Sequence, residues 1–192
     1  MTDPESYVNG YIEETEQLMG RMTEECGDQI VRIAETVVEA LREGGTVYFC
    51  GNGGSAADAQ HMASELVGQF EQDRAAIPAA ALTTDTSLLT AVSNDYGFPY
   101  VFERQVDGLM NSKDVLVAIS TSGTSENVVR AARAAREKNC SVVGFTGASG
   151  GDLASICDET LTVPSDQTAH VQEGHLLAGH ILCGIVEDEV SE

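Results

Sequence analysis

The sequence predicts an α/β protein built on a parallel sheet with helices on both faces. Short β-rich apolar runs alternate with helical stretches along its 192 residues. Two of those runs pass at once into loops, one rich in glycine and one in hydroxyls, and each loop leads straight into a helix. In such sheets ligands sit beyond the C-terminal ends of the strands, where both loops lie.

Residues 5–43 read as two helices without strand-like alternation. The second, "DQIVRIAETVVEALREGG", sets Ile30, Ile33, Val37, Val38 and Leu41 at helical spacing and stops at Gly44 and Gly45. "TVYFC" (46–50) is the first strand, followed by the glycine loop and a helix over about 56–67. "AAAL" (79–82) is the second strand, and "TTDTSLLTAVSND" after it opens on Thr and Asp in the manner of a helix cap. "VLVAI" (115–119) is the third, and the polar loop behind it passes into a clear helix. "SVVGFTG" (141–147) and "ETLTVP" (159–164) are the fourth and fifth, and a long helix over 168–190 closes the chain. No repeat, low-complexity tract or linker divides it, so a single domain over 1–192 is expected, with residues 1–45 as an N-terminal helical extension. The apolar stripes of those two helices need a partner surface, and oligomerisation supplies one most economically.

Composition excludes several classes of function. A net charge of -21, with lysine only at Lys113 and Lys138, argues against nucleic acid or an anionic membrane as partner. No apolar run approaches the length of a membrane span, and "MTDPESYVNGYIEE" is too acidic for a signal peptide. The five cysteines are odd in number, scattered and never in CxxC spacing, which points to reduced thiols in the cytoplasm. The acidity itself reads either as adaptation to a salty cytoplasm or as plain solubility. A phosphorylated substrate stays compatible with it, provided backbone N–H groups and hydroxyls hold the phosphate.

"ISTSGTSENVV" carries the most information. Ser120, Thr121, Ser122, Thr124 and Ser125 put five hydroxyls around Gly123, just after a strand and just before a helix. Together with free N–H groups at a helix start they can hold a phosphate dianion without lysine or arginine. The plain alternative is a capped turn, with Ser122 or Thr124 as the cap, but a turn needs one or two such residues. "GNGGS" (51–55) has the same placement, lacks the P-loop lysine and does not fit G-x-G-x-x-G, so alone it is also compatible with any tight turn.

His61 and Glu65 are four residues apart on a helix and share one face. That spacing suits a metal-ligand pair or a carboxylate beside an imidazole, and equally an ordinary solvated pair. "HVQEGHLLAGH" adds His170, Gln172, Glu173, His175 and His180. His175 and His180 are about 140° apart around a helix and cannot serve one small site. Gln172 and His180 are about 80° apart but about 12 Å apart along the axis, so they share an ion only by leaning together or across subunits. A His, Glu, Gln, His set would suit zinc, though other divalent ions would accept it.

"CGNGGSAADAQHMASEL", "NDYGF", "ISTSGTSENV" and "VQEGHLLAGH" together resemble the sedoheptulose 7-phosphate isomerases of the sugar isomerase (SIS) superfamily, in order from about residue 40 to 190. The resemblance implies a three-layer α/β/α fold around a five-stranded parallel sheet, and a homotetramer with interfacial active sites. It also implies conversion of D-sedoheptulose 7-phosphate to D-glycero-D-manno-heptose 7-phosphate, the first step towards the heptoses of surface glycans. By position, Glu65 and His180 match the catalytic base and its acid/base partner, and His61, Glu65, Gln172 and His180 match the zinc ligands. Ser120, Thr121, Ser122 and Ser125 match the phosphate loop. Asn52, Gly53, Gly54, Ser55, Asn94, Asp95 and Gln172 match substrate contacts.

Two positions depart from the family pattern. Gln69 and His170 stand where many relatives carry arginine, which removes two guanidinium groups from the substrate's surroundings. Two rivals share the fold: a tetrameric scaffold like the replication-initiator-associating protein, and an isomerase of another phosphosugar. The scaffold lacks the catalytic Glu and the final His, both of which stand here as Glu65 and His180. The His61/Glu65 and Gln172/His180 pairs favour the heptose group over the other isomerases.

Overall fold

The computed structural model describes residues 3–191; Met1, Thr2 and Glu192, the ends of the expected domain, lie outside the described residues. Five parallel strands are ordered β2-β1-β3-β4-β5. They are β1 (Val47–Gly51), β2 (Ala79–Ala81), β3 (Val115–Ile119), β4 (Ser141–Thr146) and β5 (Glu159–Thr162). The chain runs from β1 outwards to β2 and returns to β3 on the other side of β1, so the strand order reverses between β1 and β3. That reversal opens the crevice in which ligands of such sheets bind.

Seven helices cover the sheet: α1 (Pro4–Glu25), α2 (Gly27–Arg42), α3 (Gly54–Val67), α4 (Thr86–Asp95), α5 (Glu103–Leu109), α6 (Glu126–Glu137) and α7 (Thr168–Val190). Strand alternation divides the burial in two. Val115, Val117 and Ile119 of β3 join a core with α1, α2, α3 and α7, while Leu116 and Ala118 join a second core with α4, α5 and α6. The three-layer α/β/α arrangement is therefore realised.

The N-terminal helices are built into the first core rather than hung beside it. Leu18 and Met22 of α1, and Ile30, Ile33, Val37 and Leu41 of α2, are buried against the sheet and α7. Gly44 ends α2 at φ +82, a left-handed turn that glycine takes without strain. Buried Asp114 then sets the strand starts: one carboxylate oxygen accepts the N–H of Thr46, the other the N–H of Asn111. Asp85 caps α4 by accepting the Leu88 N–H at 2.9 Å, as the Thr/Asp signal predicts. The short α5 has no counterpart in the sequence reading.

His175, fully buried on α7, anchors that helix to the sheet. Its Nε2 lies 3.1 Å from the Thr146 carbonyl, which can only accept, so Nε2 carries the proton and the buried Nδ1 has no partner. Burial lowers its pKa to about 4, against the smaller opposing pull of the Thr146 carbonyl. Between about pH 6.5 and 4 the unfolded chain then binds a proton that the folded one refuses. This stability is present above pH 6.5 and lost as pH falls through that window, up to roughly 3 kcal/mol. Urea midpoints of wild type should accordingly fall more steeply from about pH 7 to 5.5 than those of His175→Leu. Parallel slopes would refute a neutral, buried His175.

Candidate active site

A cavity of about 230 Å³ lies at the reversal between β1 and β3. Its wall is made by Gly53, Gly54 and Ser55 after β1, Ser120, Thr121 and Ser125 after β3, and Thr168 and Gln172 at the start of α7. Three helices begin there, and their leading residues Gly53, Ser125 and Gln167 make no side-chain capping bond. The first N–H groups of each helix thus lack the partner a cap would supply, and an anion answers that need. The N-cap position is Ser125, not Ser122 or Thr124 as the capped-turn alternative would have it. Its hydroxyl accepts from Ser120 Oγ at 2.9 Å rather than serving its own helix. Ser122 Oγ accepts from the N–H and the hydroxyl of Thr124 and lies 3.5 Å from Ser120 Oγ, so the hydroxyls of Ser120, Ser122, Thr124 and Ser125 are linked. Gly123 sits at φ +67, where a Cβ would collide with the Gly150 carbonyl.

The two loops are locked to each other by a residue the sequence reading missed. Asn52 and Asn127 exchange both amide bonds at 2.8 Å, and Asn127 Oδ1 also accepts the Val128 N–H. Asn52 lines the cavity with its carboxamide held in place by Asn127. Nothing in "SENVV" distinguishes Asn127 from any polar first-turn residue; only the fold brings it to Asn52.

A second cluster lies further along the same helices. His61 Nε2 and His180 Nε2 face each other at 2.9 Å, and Glu65 Oε1 is 3.5 Å from His61 Nε2. Phe70 stacks on His180 with ring centroids 5.8 Å apart. Asp58 shares the face of α3 with His61 and Glu65; one of its oxygens is buried without a partner, and burial pushes its pKa up against the opposing pull of His61. Gln172 stands at the cavity, against Gly54, where a Cβ would strike its amide. It is about 12 Å along α7 from His180.

The donor atoms suit zinc, which takes imidazole nitrogen and carboxylate or amide oxygen. Among the described residues no three His, Cys, Asp or Glu side chains are already set out as a cage. Two nitrogens on a tetrahedral zinc stand about 3.3 Å apart, so the His61 and His180 rings need spread by only a few tenths of an ångström. The residues fit the ion, with Gln172 the member that must lean furthest.

Other expected residues lie apart. Asn94 and Asp95 end α4, exposed and hydrogen-bonded to each other at 2.8 Å, and neither lines the cavity. Gln69 is exposed. His170 is 3% exposed, with its ring 4.7 Å from that of Tyr11, so it packs α1 against α7 instead of replacing a guanidinium in the pocket. A larger groove of about 620 Å³ between α2 and α7 is flanked by Glu35, Glu39, Glu43 and Glu189, which would repel an anionic substrate. All five thiols are free, and burial drives those of Cys50, Cys157 and Cys183 up to about 12, so they supply no nucleophile.

Known proteins resemble this chain over most of its length. The SIS domain model matches residues 10–147. The phosphoheptose isomerase of Rhodospirillum rubrum is 56% identical over 164 residues, covering 85% of this chain and 87% of that protein. The phosphoheptose isomerase structure from Neisseria gonorrhoeae is similar with a TM-score of 0.92 at 41% identity, over 97% of this chain and 100% of that one. The corresponding structure from Francisella tularensis gives 0.94 at 39% identity over the same shares.

Removing the Asn127 amide should loosen the grip on phosphate and leave the chemistry alone. Asn127→Ala is expected to raise KM about tenfold with kcat within about twofold, and to cost about 1–3 kcal/mol of stability. Steady-state kinetics and urea unfolding check both; an unchanged KM would remove the interloop lock from the account.

Proposed function

The chain belongs to the SIS-domain family, and from that premise we propose that Glu65 carries the reacting proton and His180 serves the sugar oxygens. The chain is an aldose–ketose isomerase that converts D-sedoheptulose 7-phosphate to D-glycero-D-manno-heptose 7-phosphate in heptose biosynthesis. The observation carrying the residue roles is the division of α3 and α7 into two ends. Hydroxyls and helix N–H groups gather at one end, and a carboxylate with two imidazoles about two helical turns further on. A phosphate held at the first end leaves the other end of an open sugar chain near the second.

The reaction moves one hydrogen between adjacent carbons and leaves composition unchanged. Glu65 removes a proton from C1 of the ketose, and the electron pair left behind forms the C1–C2 double bond of an enediolate. The former carbonyl oxygen on C2 takes a proton, and the C1 hydroxyl loses one as its oxygen becomes the aldehyde. Glu65 then returns its proton to C2. His180 stands within reach of Glu65 through His61, and an imidazole can pass protons at oxygen near neutral pH. Thr121 and the hydroxyls of Ser120 and Ser125 hold the phosphate, with Gly53, Gly54 and Ser55 closing the opposite wall; Ser122 stands behind them, bonded to Thr124. A zinc ion held by His61, Glu65, Gln172 and His180 would polarise the sugar oxygens.

We further propose a cytoplasmic homotetramer. Five free thiols support the compartment. Exposed Tyr7, Val8 and Ile12 of α1, Val31 of α2, and Leu177 and Ile181 of α7 offer the apolar face that subunit contacts require. No described helix is long and apolar enough to cross a membrane.

Glu65→Gln should lower turnover of sedoheptulose 7-phosphate, followed by NMR of the aldose product, by a factor of roughly 10² to 10⁴. Its binding of the substrate should persist. Chelation of the wild type should abolish turnover and added zinc restore it, whereas full activity after chelation would reject the metal assignment.

A further inference from the structure

Beyond the His61–His180 contact, the loop that follows α3 is joined to α7 by a buried charge pair that the reaction does not use. Arg74 Nε donates to Glu187 Oε1 at 2.9 Å, with side chains only 5% and 1% exposed. The Glu187 carboxylate also accepts the backbone N–H groups of Glu71 at 2.8 Å, Gln72 at 2.9 Å and Phe70 at 3.3 Å. Burial alone would push its pKa up, but these N–H groups and the guanidinium reverse that and hold it below the usual carboxylate value.

The rest of the guanidinium faces the end of α3. Nη2 donates to the Glu65 carbonyl at 2.9 Å and Nη1 to the Leu66 carbonyl at 2.8 Å. A helix end leaves such carbonyls without partners, and a cation there also meets the negative end of the helix dipole. One of the carbonyls belongs to Glu65 itself. The loop tied down by Glu187 carries Phe70, whose ring lies on His180 with the two planes 25° apart.

We propose that Arg74 and Glu187 are positioning residues for the isomerisation, clamping the backbone of Glu65 directly and the ring of His180 through Phe70. The proposal rests on the catalytic roles assigned to Glu65 and His180 above. Stability alone does not call for this arrangement, because a buried ion pair is often no more stabilising than an apolar pair of the same volume. The charges add direction: one fork-shaped donor fixes the helix end and the loop against each other. The phosphate cavity lies at the opposite end of α3, so disturbing the clamp should slow chemistry without weakening substrate binding.

The test compares Arg74→Lys, which keeps the charge and loses the fork, with Phe70→Leu, which leaves both charges in place. Each is assayed below its melting transition for kcat, KM and the Kd of sedoheptulose 7-phosphate. A fall in kcat on the order of 10- to 100-fold, with KM and Kd within about twofold, is expected for both. In a Glu65→Gln background Arg74→Lys should cause no further loss, because the group it aims is already gone. Wild-type kcat in folded Arg74→Lys and Phe70→Leu would overturn the proposal, and so would a loss confined to KM. Should Arg74→Lys not fold, Phe70→Leu decides by itself. Wild-type turnover in Glu65→Gln would instead overturn the catalytic assignment on which the proposal stands.

Discussion

Helices α3 and α7 run side by side in the same direction, and the register between them decides where each reacting group lies. Gln172 meets Gly54, His180 meets His61, Gly179 takes Met62, and Glu187 meets the loop beginning at Phe70. The numbering offset between partners stays nearly constant from one end to the other. Gly179 keeps the helices close, since a Cβ there would press on the Met62 sulfur at 2.6 Å. Overpacking that contact costs about 1–3 kcal/mol. His175, hydrogen-bonded to Thr146 of β4, holds α7 to the sheet from its other side.

The same register makes the division of labour intelligible. The sheet delivers the glycine and hydroxyl loops to the start of α3 and α6, where unpaired N–H groups point outwards. The helix then carries its face two turns onward to the titratable groups. In the proposed mechanism, binding and proton transfer are thus separated along one rod. His170, which the resemblance places where an arginine would be expected, packs beside Tyr11 instead.

Much of this was legible because its causes are local. The hydroxyl loop, the glycine loop and the His61/Glu65 spacing each lie within a few consecutive residues, and strand and helix bounds followed from periodicity. The helix after β1 starts at Gly54 rather than near 56, because glycine is a poor helix former and masks the start. Residues whose meaning lies in a distant partner stayed hidden. Asn127 depends on Asn52, 75 positions away, and Glu187 on Glu71, 116 positions away. Two weak signals existed. Arg74 is the lone lysine or arginine between Arg42 and Arg104, and Glu187 falls seven residues after His180 on the same helical face. Asn94 and Asp95, matched by resemblance, end a helix away from the cavity wall.

The neutral cradle around Ser120 and Gly54 has a consequence for ionic strength. A phosphate gripped by lysines is released as salt rises, because screening acts on charge–charge attraction. Hydroxyls and backbone N–H groups act at contact range, where mobile ions intervene little. What salt does screen here is the long-range repulsion between a chain of net charge -21 and a dianion approaching it. With phosphate held there as proposed, added electrolyte would ease the approach and spare the grip, the inverse of the usual relation between phosphate affinity and salt.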